Sequence, residues 1–147
     1  MSRTRKVEQT IALADQAGTR VTANITGDVE HSTKDGFAQR DCALTLSFDN
    51  TVLRGSAFDF FEALCQIREQ LVALKLAPLC YGASLNVYPS GMMRDMGMGL
   101  SAYKQTIGEK ATRESAVRIF DTGPDIEPST VADQKAFHEN WRKSFPR

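Results

Sequence analysis

The stretch SAFDFFEALCQIREQLVALKLAP, residues 56–78, places Phe60, Phe61, Leu64, Ile67, Leu71 and Leu74 at three- and four-residue spacing. That spacing lines them up along one side of an α-helix. Ser56 is the predicted N-cap with Asp59 in the first turn, and Pro78 is the predicted stop. A helix side this apolar must be covered by another layer. Phe60 and Phe61 are therefore read as core residues, with Cys65 near the buried face.

The cover is a sheet, predicted from alternation on both sides of the helix. KVEQTIALA (6–14) sets Val7, Gln9, Ile11 and Leu13 on one face; QAGT is a turn; RVTANIT (20–26) alternates Val21, Ala23 and Ile25. A short helix over 5–16 competes for the first segment, because Val7, Ile11 and Ala14 also share a helical face. Residues 27–41 are polar and aperiodic, which reads as a long loop or an extended hairpin tip. CALTLSF (42–48) alternates Leu44, Leu46 and Phe48, and Asp49–Asn50 turns the chain into TVLRGSA (51–57).

After the helix, Leu85 and Val87 belong to a strand that ends at Pro89, which has no N–H to give a ladder. PSGMMRDMGMG is a turn with one helical turn begun by Ser90; LSAYKQTIG is a strand; GEKATRESA is a connector with a helical turn. VRIF is a short strand and DTGPDIEP a turn-rich loop, before Ser129 or Thr130 caps VADQKAFHENWRKSF with Val131, Phe137, Trp141 and Phe145 on its apolar side. The order β-β-β-β-α-β-β-β-α describes an α+β fold with a mostly antiparallel sheet and two packed amphipathic helices, as a single domain over residues 1–147.

Charge narrows the function classes. Lysine plus arginine and aspartate plus glutamate number 18 each, so no net field draws the chain to nucleic acid or an anionic membrane. Its apolar runs fall short of the roughly 20 residues that cross a bilayer, and the start MSRTRK lacks the apolar centre of a secretory signal. A cytoplasmic location is expected. Cys42, Cys65 and Cys80, without C-x-x-C spacing, suit buried free thiols in a reducing compartment. His31 and His138 lie far apart in sequence, fit no metal-ligand pattern and are read as surface residues, so neither metal nor cofactor is expected.

The chemistry-bearing patterns are sparse. PSGMM has none of the glycines of a nucleophile elbow around Ser90, and GMMRDMGMG lacks the lysine and hydroxyl of a phosphate-binding loop. Asp95, Glu109, Asp121 and Asp125 have no spacing that demands an acid–base pair. They read as caps, turn residues or partners of Arg94, Lys104 and Arg113.

CYGASLNVYPSGMMRDMGMGLSAYKQTIGEKA, then IFDTG and the TVADQKAFHENW helix, resembles the C-terminal half of small immunity proteins encoded beside bacterial polymorphic toxins, including those of contact-dependent growth inhibition and rearrangement-hotspot systems. The resemblance covers roughly residues 79–145 and the preceding DFFEALCQIREQL helix. It implies a protein that is not an enzyme and that blocks the C-terminal domain of a cognate toxin in a one-to-one complex. Pro89 and the glycines then shape a corner holding Tyr88, Arg94, Asp95 and Met96, as a contact surface or as a structural element, while Asp121, Asp125, Glu127 and Asp133 offer carboxylates to a basic cleft. The alternative is a small-ligand-binding or enzymatic domain with a pocket near Tyr81, Tyr88, Arg94 and Asp121.

Overall fold

Two two-residue turns, at Asp35–Gly36 and Asp49–Asn50, and a longer link over residues 15–19 shape the first part of the chain. In the computed structural model, which describes residues 3–145, β1 (Arg3–Ala14), β2 (Arg20–Lys34), β3 (Phe37–Phe48) and β4 (Thr51–Ala57) form an antiparallel meander. Residues 5–16 are strand and turn, not helix. Residues 27–41 are the extended hairpin tip and not the long loop. Lys34 pairs with Phe37 around Asp35–Gly36, whose φ angles of 53° and 81° make the tight hairpin turn that an Asp-Gly pair favours. The polar composition of this arm reflects its reach beyond the core.

Helix α1 (Phe60–Ala73) crosses one face of this sheet. Ile11, Leu13, Ile25, Val29, Leu44 and Leu46 point at it from the sheet, and Phe60, Phe61, Leu64, Ile67 and Leu71 point back. Cys65 is buried with them, whereas Leu74 closes the helix as its C-cap and is exposed. The N-cap is Asp59, not Ser56: Asp59 is extended and accepts from the Glu62 N–H at 2.8 Å, while Ser56 lies within β4. The helix ends at Ala73, before Pro78, which with Ala77 forms β5 beside β1. The sheet order is β4-β3-β2-β1-β5.

Contact between α1 and β4 depends on Gly55, because a Cβ there would collide with the Ala63 carbonyl. The close approach also lets α1 protect the sheet edge. Gln66 takes the Ser56 N–H at 2.9 Å and donates to the Ser56 carbonyl at 2.9 Å, and Gln70 donates to the Arg54 carbonyl at 2.8 Å. Side chains thus take the place of a further strand on β4.

The rest of the chain makes a second, smaller layer rather than extending the first sheet. β6 (Val87–Tyr88), β7 (Ser101–Lys104) and β8 (Ala116–Arg118) pair antiparallel in that order. Between β6 and β7 is α2 (Gly91–Asp95), begun by Ser90, whose hydroxyl accepts from the Met93 N–H at 3.1 Å. α3 (Val131–Arg142) is capped by Thr130, not Ser129. Val131, Phe137, Trp141 and Phe145 are only half-buried, and the deepest residue of α3 is Gln134, 1% exposed. Its amide nitrogen reaches the carbonyls of Gly82, Ser84 and Val87 at 2.9–3.0 Å, fastening the helix to the segment that leads into β6.

Gly55→Ala is expected to lower stability by about 1–3 kcal/mol through overpacking against α1. A denaturant midpoint unchanged from wild type would contradict the close approach.

Candidate functional site: the corner beside the N-terminus of helix α1

Asp59 does more than cap a helix. Its second carboxylate oxygen meets Arg94 Nη1 at 3.3 Å, and Glu62 lies 3.8 Å from the same nitrogen. The guanidinium of Arg94 also sits 4.9 Å from the ring centre of Phe61 and 5.3 Å from that of Tyr88. α2 is thereby clamped onto the first turn of α1 by a charge-assisted contact and two ring faces. The Phe60 N–H adds a backbone bond to the Met98 carbonyl at 2.8 Å.

Arg40 of β3 completes the corner from the other side. Its three guanidinium nitrogens donate to the carbonyls of Phe58, Asp95 and Arg94 at 2.7, 2.7 and 2.8 Å. Two of these carbonyls belong to the C-terminal end of α2, where a cation is favoured. The cation also lies 3.8 Å above the Phe58 ring. What this bracing presents outward is apolar: Met92 is 71% exposed, Met96 77% and Phe58 51%. Met92 and Met96 are four residues apart, and the Met96 N–H bonds to the Met92 carbonyl, so both lie along one side of the same helical turn.

The structure thus brings Tyr88, Arg94 and Met96 of the expected site together and adds Arg40, Phe58, Asp59 and Met92. Asp95 contributes its carbonyl; its side chain is exposed. The four acidic residues lie elsewhere. Asp121, Asp125 and Glu127 are exposed in the loop before α3, and Asp133 is exposed in the first turn of α3. Asp125 is not free: it pairs with Lys104 Nζ at 2.6 Å and accepts from Tyr81 Oη at 2.7 Å, contacts that hold its carboxyl below the ordinary range, Lys104 first.

The pocket expected from Tyr81, Tyr88, Arg94 and Asp121 does not assemble. Tyr81 is taken by Asp125, and Tyr88 and Arg94 pack on Phe61. Asp121 borders a different hollow, beside β1 and Phe120. The cysteines are buried, and burial pushes each thiol up to about 11, which leaves little thiolate near neutral pH.

His138 departs from the expected surface position, whereas His31 is exposed on β2. The His138 ring stacks on Tyr88 with centroids 4.0 Å apart, and its Nδ1 lies 2.9 Å from the amide nitrogen of Gln105. Trp141 stacks beyond it at 5.8 Å and donates to the Glu109 carbonyl. Tyr88 therefore links α1, α2 and α3. No protein-family model and no curated protein matches the chain.

Burial, and to a smaller extent the positive charges of Arg142 and Arg94, hold the His138 pKa below 6.5, against the opposing pull of Glu139. At a pH between the folded and unfolded values, the unfolded chain then holds more protons, so stability rises with pH. The contribution of this residue is complete above about 6.5 and is lost as pH falls through the folded pKa. His138→Phe, which keeps a stacked ring, is expected to flatten the pH dependence of the melting temperature in that window. A His138 NMR titration midpoint at or above the unfolded value would contradict the half-buried stack.

Proposed function

We propose that this chain is a cytoplasmic immunity protein that binds and neutralises the C-terminal domain of a cognate toxin in a one-to-one complex. The observation that carries the reading is the exposed Phe58–Met92–Met96 surface fixed in place by Arg40 and Arg94. Methionine adapts to a partner's shape, and aromatic and methionine side chains are enriched at protein interfaces. The bracing is made of backbone carbonyls, a buried carboxylate and ring faces, so little conformational freedom is lost when the corner is covered. The resemblance of residues 79–145 to bacterial immunity proteins supports the same reading.

The acidic stretch plays a second part. Asp121, Glu127 and Asp133 are exposed, and a toxin acting on an anionic substrate presents a basic cleft to them. Charges at a rim chiefly set the rate of encounter and its salt dependence, while a buried apolar centre sets the lifetime of the complex. The corner is the proposed anchor and the acidic loop the proposed guide.

The test is co-expression with the C-terminal domain encoded by the neighbouring toxin frame, followed by binding kinetics. Met92→Glu with Met96→Glu is expected to weaken binding by about 2–4 kcal/mol, mainly through faster dissociation, with melting unchanged. Asp121→Lys with Glu127→Lys is expected to slow association at low salt and leave dissociation nearly unaltered. Failure of the domain to bind, or wild-type dissociation from the methionine variant, would overturn the reading.

A further inference from the structure

Arg68 of α1 is a buried cation beside a cavity. It is 4% exposed, and its guanidinium donates to Gln134 Oε1 at 2.6 Å, the Ser129 carbonyl at 2.9 Å and the Gly82 carbonyl at 3.3 Å. All three acceptors are neutral, and no carboxylate forms an ion pair with Arg68 among the described residues. Buried charges in folded proteins are ordinarily paired, because an uncompensated one carries a large desolvation cost. Burial draws the Arg68 pKa below its ordinary value, yet a guanidinium remains charged at neutral pH. The Arg68 side chain also meets the thiol of Cys65, which burial pushes up to about 11 and so leaves neutral near pH 7.

Arg68 forms part of the wall of a cavity of about 290 Å³ between the last turns of α1, β5 and the entry to α3. The other walls are largely apolar: Val72, Leu76, Pro128 and Val131, with Asp133 as a charged lining residue. Val72 is 59% exposed, which leaves the mouth open, and an adjoining cavity shares Val72, Leu76 and Pro128. A cation among branched aliphatic walls suits an anion that is itself aliphatic. Asp133 and the apolar lining select a single charge over a phosphate-like group.

We propose that this cavity binds a carboxylate carried on a short branched aliphatic group, with the carboxylate on Arg68 and the alkyl part against Val72, Leu76 and Val131. Such a group occurs both in a free branched-chain acid and in the C-terminal residue of a peptide. The inference stands apart from toxin recognition at the corner.

The test titrates the full chain with 3-methylbutanoate, 3-methylbutanamide and N-acetyl-valyl-leucine, following the methyl NMR signals of Val72, Leu76 and Val131. The carboxylate is expected to bind about tenfold or more tightly than the amide, as befits a charge-assisted contact. Tighter binding of the dipeptide identifies a peptide terminus as the source, and tighter binding of 3-methylbutanoate identifies a free acid. Val72→Glu, at an exposed helical position, is expected to abolish binding without changing the melting temperature, and Asp133→Asn to strengthen it. Equal affinity for acid and amide, no shift with any of the three, or undiminished binding to a folded Val72→Glu variant would overturn the proposal.

Discussion

The contact between Asp59 and Arg94 joins the two layers of this protein at the point where each is least able to hold itself. Asp59 must stay extended to satisfy the first turn of α1, and α2 is a single turn too short to be stable alone. One carboxylate serves both: it accepts the Glu62 N–H and holds the cation that fastens α2. Arg40 then ties the far end of α2 to β3 and to the link before α1. The corner is therefore an extension of the core, although its outer surface is open.

That arrangement bears on whether a contact surface and a structural element are alternatives here. Arg94 and Tyr88 face inward onto Phe61, so their first role is to hold the corner together. Met92 and Met96 face outward from the same turn and contribute little to its support. Neighbouring residues on one short helix thus divide the two roles. Rigidity supplied from within is what makes an apolar outer face useful for binding.

The sequence was most legible where one periodicity governed a whole element. The α1 stripe and the alternation of β1, the start of β2 and β3 follow from residue spacing, and the turn at Asp49–Asn50 follows from its residue types. Residues 27–41 read equally as a loop or as a hairpin tip because those beyond Val29 pack against no core and so need not alternate, and the turn-forming pair Asp35–Gly36 belongs to the hairpin that the structure shows. The helix start was displaced by three residues. Asp59 followed by Glu62 is itself a capping pattern, but Ser56 offered a competing cap that strand pairing with Ala43 took instead. Arg40, Arg68 and Gln134 could not be found by periodicity at all. They act through carbonyls brought near them by tertiary packing, and carbonyls leave no mark in a sequence.

The central claim is that the exposed corner belongs to the same cooperative unit as the helix beneath it. Native-state hydrogen exchange measures this directly, because the Phe60 N–H is bonded to Met98 and the Gly99 N–H to Met93, across and within the corner. The account predicts that these two amides open with the same free energy as the Leu64 and Ile67 amides inside α1, and that Arg94→Ala lowers the protection of all four together. Rapid exchange at Phe60 and Gly99 while the α1 amides keep their protection would contradict it, showing a corner that rests on the core without being part of it.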